Sequence, residues 1–322
     1  MSGEDVISAA RDPLPLAMAH TWACLLLLTI CSAVYASPRP SIDIPNLSPL
    51  SLQEISGYKG YTYYASAAYC LPATTLSWTC GQNCDANPLF IPVASGGDGV
   101  STQYWFVGYD PVLNEVIVSH QGTAIDKIMP DLTDIDLVPT PLDEGLFPGV
   151  KPPILVHNGF STTHSRSAPD VLSAVSSAIA RFRTSTVTTT GHSLGAAIAL
   201  LDAVYLPLHI PRITVQYVGY GLPRVGNWAF ADYVDAQPIL VTHINNKEDP
   251  VPVLPPIVLG FHHPSGEVHI QDSGEWMTCP GQDNPGKQCA AGAVSIVRFN
   301  ENDHDGPYDG VEMGCGSRPE DL

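Results

Sequence analysis

Residues 188–206, TTTGHSLGAAIALLDAVYL, constrain the fold of this chain more than any other segment. The threonines before Gly191 favour a β-strand, whereas the alanines and leucines after Gly195 favour a helix. A strand that turns directly into a helix brings the two backbones so close that neither glycine position has room for a Cβ. The segment therefore predicts a sharp turn at the end of a buried strand, with Ser193 at its tip.

Ser193 is the first candidate functional residue. A Gly-x-Ser-x-Gly pattern alone is weak evidence, and the alternative is an ordinary serine in a turn. The strand before it and the helix after it favour a nucleophile, because this arrangement exposes the hydroxyl at the edge of a sheet. The backbone N–H of Leu194, at the positive end of the helix, then points toward the serine and can stabilise an oxyanion.

A serine nucleophile needs a histidine to accept its proton and a carboxylate to orient that histidine. Asp249 lies in the loop NNKEDPVPVLPP after the predicted strand ILVTHIN, which places it at the carboxyl edge of a sheet. His304 lies in the loop NENDHDGPYDG after the predicted strand AVSIVRF, at the same edge. Asp202 falls within the helix after the turn and is interpreted as structural. We therefore predict that Ser193, His304 and Asp249 form the catalytic set.

Strand and helix patterns alternate along the chain. Helical periodicity is clear in residues 167–182, where Ser167 and Asp170 have the spacing of a capping box, and the aromatic run 61–70 predicts another helix. This alternation favours an α/β fold, with a mostly parallel sheet covered by helices on both faces and one domain over residues 37–322. The predicted strands begin at Thr102, Glu115, Thr186, Ile213 and Ile239.

The first 36 residues differ from the rest. The short apolar run WACLLLLTICSAV and the small residue Ala36 predict a signal peptide over residues 1–36, with Met18 as an alternative start. The run is shorter than the ~20 residues that span a membrane, so an anchor is the weaker alternative. We expect a secreted protein without a transmembrane anchor, an extended arm over residues 37–51, and a glycosylation sequon at Asn46 that is weakened by Pro49.

Composition limits the partners and cofactors. With 32 acidic and 14 basic residues the formal net charge is −18, which repels nucleic acid but tolerates an uncharged substrate. His262, His263 and His269 are interpreted as residues at or within a strand, although a metal cluster is the alternative. A serine-based site needs neither a metal nor a nucleotide, so we expect no metal and no cofactor.

The cysteines indicate an oxidising compartment. Six remain once the signal peptide is removed, and an even number in an exported chain predicts three disulfides. Cys80 and Cys84 are close in sequence, as are Cys279 and Cys289. This proximity would leave Cys70 with Cys315, although the sequence alone permits other pairings.

Seven motifs, taken in order, resemble those of the fungal class 3 lipases, an α/β-hydrolase family that includes filamentous-fungal triacylglycerol lipases and related feruloyl esterases. They are AAYC, VSHQGT, VHNGF, TGHSLGAA, YGLPRVGN, DPVPVLPP and DHDGPY, and the likeness extends over residues 61–315. It implies Ser193 as nucleophile, His304 as base, Asp249 as orienting acid, and an oxyanion hole made by Thr123 and the Leu194 N–H. The resemblance also implies the disulfides Cys70–Cys315, Cys80–Cys84 and Cys279–Cys289.

A lid helix is also implied, directly after Thr123. Ile125, Ile128 and Met129 in AIDKIMPDL share one apolar face, which would cover Ser193 or contact lipid. The alternative is an ordinary surface helix, and Pro130 is expected to end or kink it.

An acyl groove is the last feature that the resemblance implies. Val251, Leu254 and Pro255 would line it, and their alternative interpretation is plain core. Tyr69 is placed beside the site, whereas His192, Arg224 and Asn227 are interpreted as structural.

The predicted function is a secreted, monomeric serine carboxylester hydrolase, a triacylglycerol lipase that acts at a lipid–water interface through an acyl-enzyme on Ser193. Two alternatives stay open. A feruloyl or other soluble-ester esterase would have a polar lid and an open site, which the apolar stripe of the lid disfavours. An inactive lipid-binding surface protein would lack a catalytic residue, and none of the three is missing.

Overall fold

The computed structural model describes residues 47–133, 139–295 and 298–316. The predicted signal peptide, Met18, Asn46 and most of the predicted arm lie outside these residues. The α-helices are α1 Leu52–Ala67, α2 Pro72–Ser77, α3 Gln82–Asp85, α4 Ile125–Thr133, α5 Asn158–Phe182, α6 Leu194–His209, α7 Trp228–Asp235 and α8 Ala290–Ala293. The strands are β1 Ser48–Pro49, β2 Ile91–Gly96, β3 Trp105–Asp110, β4 Glu115–His120, β5 Pro139–Pro141, β6 Leu155–His157, β7 Thr186–His192, β8 Thr214–Tyr220, β9 Gly226–Asn227, β10 Ile239–Asn246, β11 Phe261–His262, β12 Glu267–Ile270 and β13 Trp276–Cys279.

A nine-stranded sheet has the order β1-β13-β12-β10-β8-β7-β4-β3-β2. Its five central strands, β12 to β4 in that order, are parallel, as the alternating pattern predicts. The outer strands pair antiparallel, which makes the sheet mixed. A second sheet, β11-β9-β6-β5, was not predicted, because its strands are only two or three residues long.

The central strands are covered on both faces. In β4, Val116 and Val118 belong to a core cluster that includes residues of α5 and α6, whereas Ile117 between them belongs to a cluster with residues of α1. Successive side chains of a strand point to opposite faces, so these two clusters lie on opposite sides of the sheet. Helix α6 is buried along most of its length, which explains why its sequence is apolar all round.

Two helices begin earlier than the sequence predicts. Helix α5 begins at Asn158, and Ser167 lies inside it with its Oγ donating to the His164 carbonyl oxygen at 3.3 Å. The predicted capping box at Ser167 is therefore wrong. Helix α1 begins at Leu52, where Ser51 and Glu54 form a true capping box.

Three disulfides fix the ends and loops of the fold. They are Cys70–Cys315, Cys80–Cys84 and Cys279–Cys289, the pairing that the resemblance implies. Cys70–Cys315 joins residues 245 positions apart and ties the segment after α1 to the end of the described chain. Among the described helices, none is both long and apolar enough to span a membrane.

Candidate active site

Ser193 lies at the tip of the turn from β7 to α6. Its backbone has φ 59° and ψ −128°, a region that residues other than glycine avoid. Its N–H donates to the Tyr220 carbonyl oxygen at 2.9 Å, so the neighbouring strand β8 holds the turn in place. A Cβ at Gly191 would lie 2.5 Å from the carbonyl carbon of Gly195, so this close approach requires the glycine.

Asp249 and His304 form a buried pair at the carboxyl edge of the sheet. His304 Nδ1 lies 2.9 Å from Asp249 Oδ2, and the second carboxylate oxygen accepts the Val251 N–H at 2.9 Å. Both side chains are almost completely inaccessible to solvent. Because the carboxylate accepts the proton of Nδ1, the neutral imidazole keeps Nε2 free to accept another proton.

Gly221 brings this pair to Ser193. It follows Tyr220, whose carbonyl holds the Ser193 N–H, and a Cβ added to it would lie 3.0 Å from His304 Cε1 and 3.1 Å from Asp249 Oδ2. Ser193 Oγ and His304 Nε2 are both buried, and neither has a hydrogen-bond partner among the described residues. The structure thus gathers the three predicted residues in one buried region and leaves two reactive atoms unpaired.

His192 links the backbone of His304 to the hydroxyl of Tyr69, a role that the sequence interpretation missed. Its Nε2 lies 2.8 Å from the His304 carbonyl oxygen, its Nδ1 lies 2.6 Å from the Tyr69 hydroxyl, and its ring lies 4.4 Å from that of His304. Burial, and then the charge of His304, lower the pKa of His192 well below its ordinary value. Neutral His192 therefore donates to the backbone of the base and accepts from Tyr69. The Tyr308 hydroxyl donates to the same carbonyl at 2.9 Å.

The segment with the predicted oxyanion donor follows β4 and packs against the Ser193 turn. A Cβ at Gly122 would lie 2.5 Å from the His192 carbonyl oxygen and 3.1 Å from Ser193 Cβ. The Gln121 N–H donates to the Tyr104 carbonyl oxygen at 2.8 Å, which fixes the start of this segment. Thr123 is the next residue after Gly122, and the Leu194 N–H lies at the first turn of α6. The two predicted donors are therefore on segments that touch each other.

Helix α4, the predicted lid, follows Thr123 and packs its apolar residues on the main core. Ile128 is only 2% exposed and belongs to the main core, and Ile125 and Met129 pack against that core. Asp126 and Lys127 face solvent. The helix continues through Pro130 to Thr133, so the proline does not end it.

The predicted acyl-groove residues follow Asp249 along the chain. Val251 is completely buried in the main core, Leu254 packs against that core, and Pro255 is buried. Arg224 fixes this segment, because its N–H donates to the Leu254 carbonyl oxygen at 2.8 Å and its Nη1 donates to that of Pro255 at 3.0 Å. A third bond, at 2.7 Å, joins Arg224 Nε to a carboxylate oxygen of Asp283. The structural interpretation of Arg224 thus includes support of the Asp249 loop.

Two stacked histidines lie beneath the Asp249 loop. The rings of His243 and His263 are 4.8 Å apart, and His263 Nε2 lies 2.7 Å from the Pro252 carbonyl oxygen. Burial, and then the charge of the other histidine, lower the pKa of His243 to about 3, and burial is the main cause that lowers the pKa of His263 to about 4. Both rings are therefore neutral in the folded protein at any pH above these values.

This pair predicts a loss of stability in acid. An unfolded histidine takes up a proton below about pH 6.5 while the buried ring does not, so each ring lowers the free energy of unfolding by about 1.4 kcal/mol per pH unit below that point. In His243→Gln, we expect the decrease in the free energy of unfolding between pH 6 and pH 5 to be about 1.4 kcal/mol smaller than in the wild type. Guanidinium denaturation at both pH values measures this difference, and equal decreases in the two proteins would contradict the prediction.

A group of potential metal ligands occurs at the site. One ligand atom from each of His192, His304 and Asp305 lies within 4.8 Å of the others. Both ring nitrogens of His192 already have hydrogen-bond partners, and His304 Nδ1 is bonded to Asp249. A cation could use the unpaired His304 Nε2 but would have to displace a hydrogen bond of His192, so the donor set suits proton transfer better than metal binding.

Comparison with known proteins adds independent evidence. Residues 117–259 match the family model described as Lipase (class 3). A secreted mono- and diacylglycerol lipase of Malassezia globosa is 30% identical over 290 residues, which are 88% of this chain and 90% of the relative. This chain belongs to the class 3 lipase family. The predicted family and the class of serine ester hydrolase are therefore confirmed.

Further relatives support the same assignment. A second secreted mono- and diacylglycerol lipase, from Gibberella zeae, is 33% identical to this lipase over 69% of the chain and 72% of the relative. A solved triacylglycerol lipase, described as having a serine protease triad at its catalytic centre, has a TM-score of 0.72 and 26% identity. The structural match covers 84% of this lipase and 100% of the solved chain. The predicted α/β-hydrolase fold is thereby confirmed.

Proposed function

We propose that this lipase hydrolyses acylglycerols through an acyl-enzyme, with Ser193 as nucleophile, His304 as base and Asp249 as orienting carboxylate. The bond of 2.9 Å between His304 Nδ1 and Asp249 Oδ2 carries the proposal. It fixes the imidazole tautomer that can accept the Ser193 proton at Nε2. Attack by Oγ on the ester carbonyl forms a tetrahedral oxyanion, and His304 then returns the proton to the departing alcohol. A water molecule deprotonated by His304 next cleaves the acyl-enzyme and releases the fatty acid.

The oxyanion is stabilised by the N–H groups of Thr123 and Leu194. The close packing of Gly122 against Ser193 supports this assignment, because it brings the segment that carries Thr123 to the start of α6. Donors fixed in this way need no rearrangement when charge develops on the oxygen, and each contributes on the order of 10²–10³ in rate.

An uncharged acylglycerol at a lipid surface fits the site better than a soluble ester. Ser193 is completely inaccessible to solvent, and α4, which follows Thr123, packs its apolar residues on the core, so we expect this helix to be the lid that moves to admit substrate. An open cavity of about 730 Å³ lies between β2 and α5, and Ser193 is not among the residues that line it. Val251, Leu254 and Pro255 would contact the acyl chain once the lid opens. Because the chain is acidic, it also repels the fatty-acid anion that it forms.

Export from the cell would bring this lipase to its substrate. The matched relatives are named as secreted lipases, and the apolar run near the N-terminus has the pattern of a signal peptide. We propose that residues 1–36 are removed on export and that residues 37–322 act as one monomeric domain. The disulfides suit an oxidising compartment.

A second apolar surface would help the lipase to adhere to lipid. Ile257, Val258 and Leu259 are 41%, 91% and 50% exposed, and Trp228 is 54% exposed. Phe261, two residues after this turn, pairs with Asn227, the residue before Trp228, so the turn 257–259 and Trp228 flank the same pair of strands. Residues 250–266 contain no acidic residue, lysine or arginine, although the whole chain is strongly acidic. We call these four side chains the 257–259 patch, and its neutral apolar character fits a surface of uncharged lipid.

The patch gives a direct prediction. Val258→Asp should lower the rate on emulsified acylglycerol about tenfold, because burial of a valine contributes about 1.5 kcal/mol. The rate on a dissolved short-chain ester should not change. Val100, which is 90% exposed on a different loop, offers a matched control, and Val100→Asp should leave both rates unchanged. Equal rates of Val258→Asp and wild type on the emulsion would contradict the role of the patch.

Acid release in a pH-stat tests the proposed function. Mono-, di- and triacylglycerols of short chain length are each titrated from the dissolved to the emulsified state. A sharp rise in rate at the onset of emulsion is expected for a lipase with a lid, and the ratio of the three rates identifies the preferred acylglycerol. A smooth saturating curve would favour the soluble-ester esterase. Lipid binding without acid release would favour the inactive alternative.

A further inference from the structure

A second buried carboxylate lies behind the active site and has no role in the chemistry proposed above. Asp202 of α6 is 0% exposed, and each of its carboxylate oxygens bonds to a different imidazole. His120 Nε2 lies 2.6 Å from Oδ2, and His164 Nε2 lies 2.9 Å from Oδ1. Both histidines are also 0% exposed.

The charge of this cluster makes its geometry rigid. Burial alone would raise the pKa of Asp202, but the charge of His120 and the hydrogen bonds from both imidazoles outweigh it and hold the pKa at about 2. An ionised carboxylate only accepts, so both histidines must carry a proton on Nε2. Hydrogen bonds to a buried charge are stronger than neutral ones, and loss of one partner leaves that charge poorly compensated.

The two histidines differ in what they are attached to. His120 is the last residue of β4, and the oxyanion segment Gln121–Thr123 follows it directly. Its carbonyl oxygen lies against the turn that carries Ser193, since a Cβ at Gly191 would lie 2.9 Å from it and a Cβ at Gly195 would overlap it. His164 lies within α5, which carries none of the predicted catalytic or oxyanion residues.

We propose that His120, held by Asp202, is a positioning residue that sets the oxyanion segment against the Ser193 turn. Asp202 lies on the helix whose first N–H belongs to Leu194, so the bond to His120 links the two segments that carry the oxyanion donors. His164 fixes the same carboxylate to α5 and contributes to stability alone. This inference rests on the proposed oxyanion hole of Thr123 and Leu194.

The paired variants His120→Asn and His164→Asn test it. In either variant, the shorter amide cannot reach Asp202, so each loses one bond to the same carboxylate. We expect both to lower the free energy of unfolding to a similar extent. Only His120→Asn should lower kcat on a dissolved p-nitrophenyl ester, by about 10- to 100-fold at unchanged KM, because a small misplacement of oxyanion donors acts on the transition state. His164→Asn should keep kcat within about twofold of the wild type.

A rescue variant and a second substitution complete the experiment. His120→Gln places an amide nitrogen near the position of Nε2 and should recover most of kcat. If His120→Asn does not fold, Asp202→Glu keeps both partners and the charge but lengthens the side chain, and it should also lower kcat. An unchanged kcat in folded His120→Asn or Asp202→Glu, or equal losses in the two asparagine variants, would overturn the proposal.

Wild type and Ser193→Ala in the same assay separate this proposal from the proposed function. If hydrolysis persists in Ser193→Ala, or is absent from the wild type, the acyl-enzyme mechanism fails and the positioning role fails with it. If hydrolysis depends on Ser193 but His120→Asn retains full kcat, only the positioning role fails.

Discussion

Substitution of Ser193 by alanine is expected to lower kcat for ester hydrolysis by about 10⁶-fold, the loss typical of a removed serine nucleophile. The hydroxyl is the atom that bonds to the acyl carbon, and no other described side chain stands where Oγ does. The fold should survive. Oγ has no hydrogen-bond partner among the described residues, and the turn is held through the backbone by Tyr220 and Ala196. Acid release from emulsified acylglycerol and release of p-nitrophenol from a dissolved ester both measure the loss.

Ser167→Ala is a suitable control. Ser167 is also buried, at 3% exposed, but it lies in α5 and its Oγ bonds to the His164 carbonyl oxygen. It should keep nearly full activity. A phosphonate ester should label one serine in the wild type and in Ser167→Ala, and none in Ser193→Ala, by peptide mass spectrometry. Substantial hydrolysis by folded Ser193→Ala would mean that another group is the nucleophile.

The turn at Ser193 could be predicted because its causes are local. Two glycines, a β-branched strand and a helix-forming segment are all visible within nineteen residues. The position of Asp249 could be predicted because it follows the parallel strand β10, and the ends of parallel strands share one edge of a sheet. The predicted strand AVSIVRF before His304 is wrong, because Ala293 ends helix α8 and Ser295 forms only an isolated bridge with Arg298 among the described residues. The direct contact of Asp249 with His304 joins residues 55 positions apart and required the structure.

The supporting residues could not be predicted, because their partners are distant in sequence. His120 and Asp202 are 82 positions apart, and Tyr69 and His192 are 123 positions apart. The apolar residues around Asp202 indicate that it is buried, but they do not show which distant residues compensate its charge. The early start of α5 was missed for a similar reason, since Phe160 and His164 are buried by tertiary packing that local periodicity does not show. Strands such as β9, with two residues, carry no periodic signal at all.

Substitution of Asp249 is expected to cause the second largest loss of kcat. Asp249→Asn should lower kcat by about 10⁴-fold, the effect of an asparagine in place of a triad aspartate. The amide can donate to Nδ1, which moves the imidazole proton to Nε2. His304 then cannot accept the proton of Ser193. Because Asn keeps the size of the residue and an oxygen that can accept the Val251 N–H, the loop should retain its structure.

Asp303→Asn separates the orientation of the base from a general loss of negative charge. Asp303 precedes His304 in the same loop, and its carboxylate accepts the Glu248 N–H at 3.3 Å rather than contacting the imidazole. Its substitution should change kcat by less than about threefold. The two variants are compared with the wild type by pH-stat and by thermal unfolding. If Asp249→Asn retained a tenth or more of the wild-type kcat, the carboxylate would not fix the tautomer of His304, and the base would have to be oriented through its backbone bonds to His192 and Tyr308 instead.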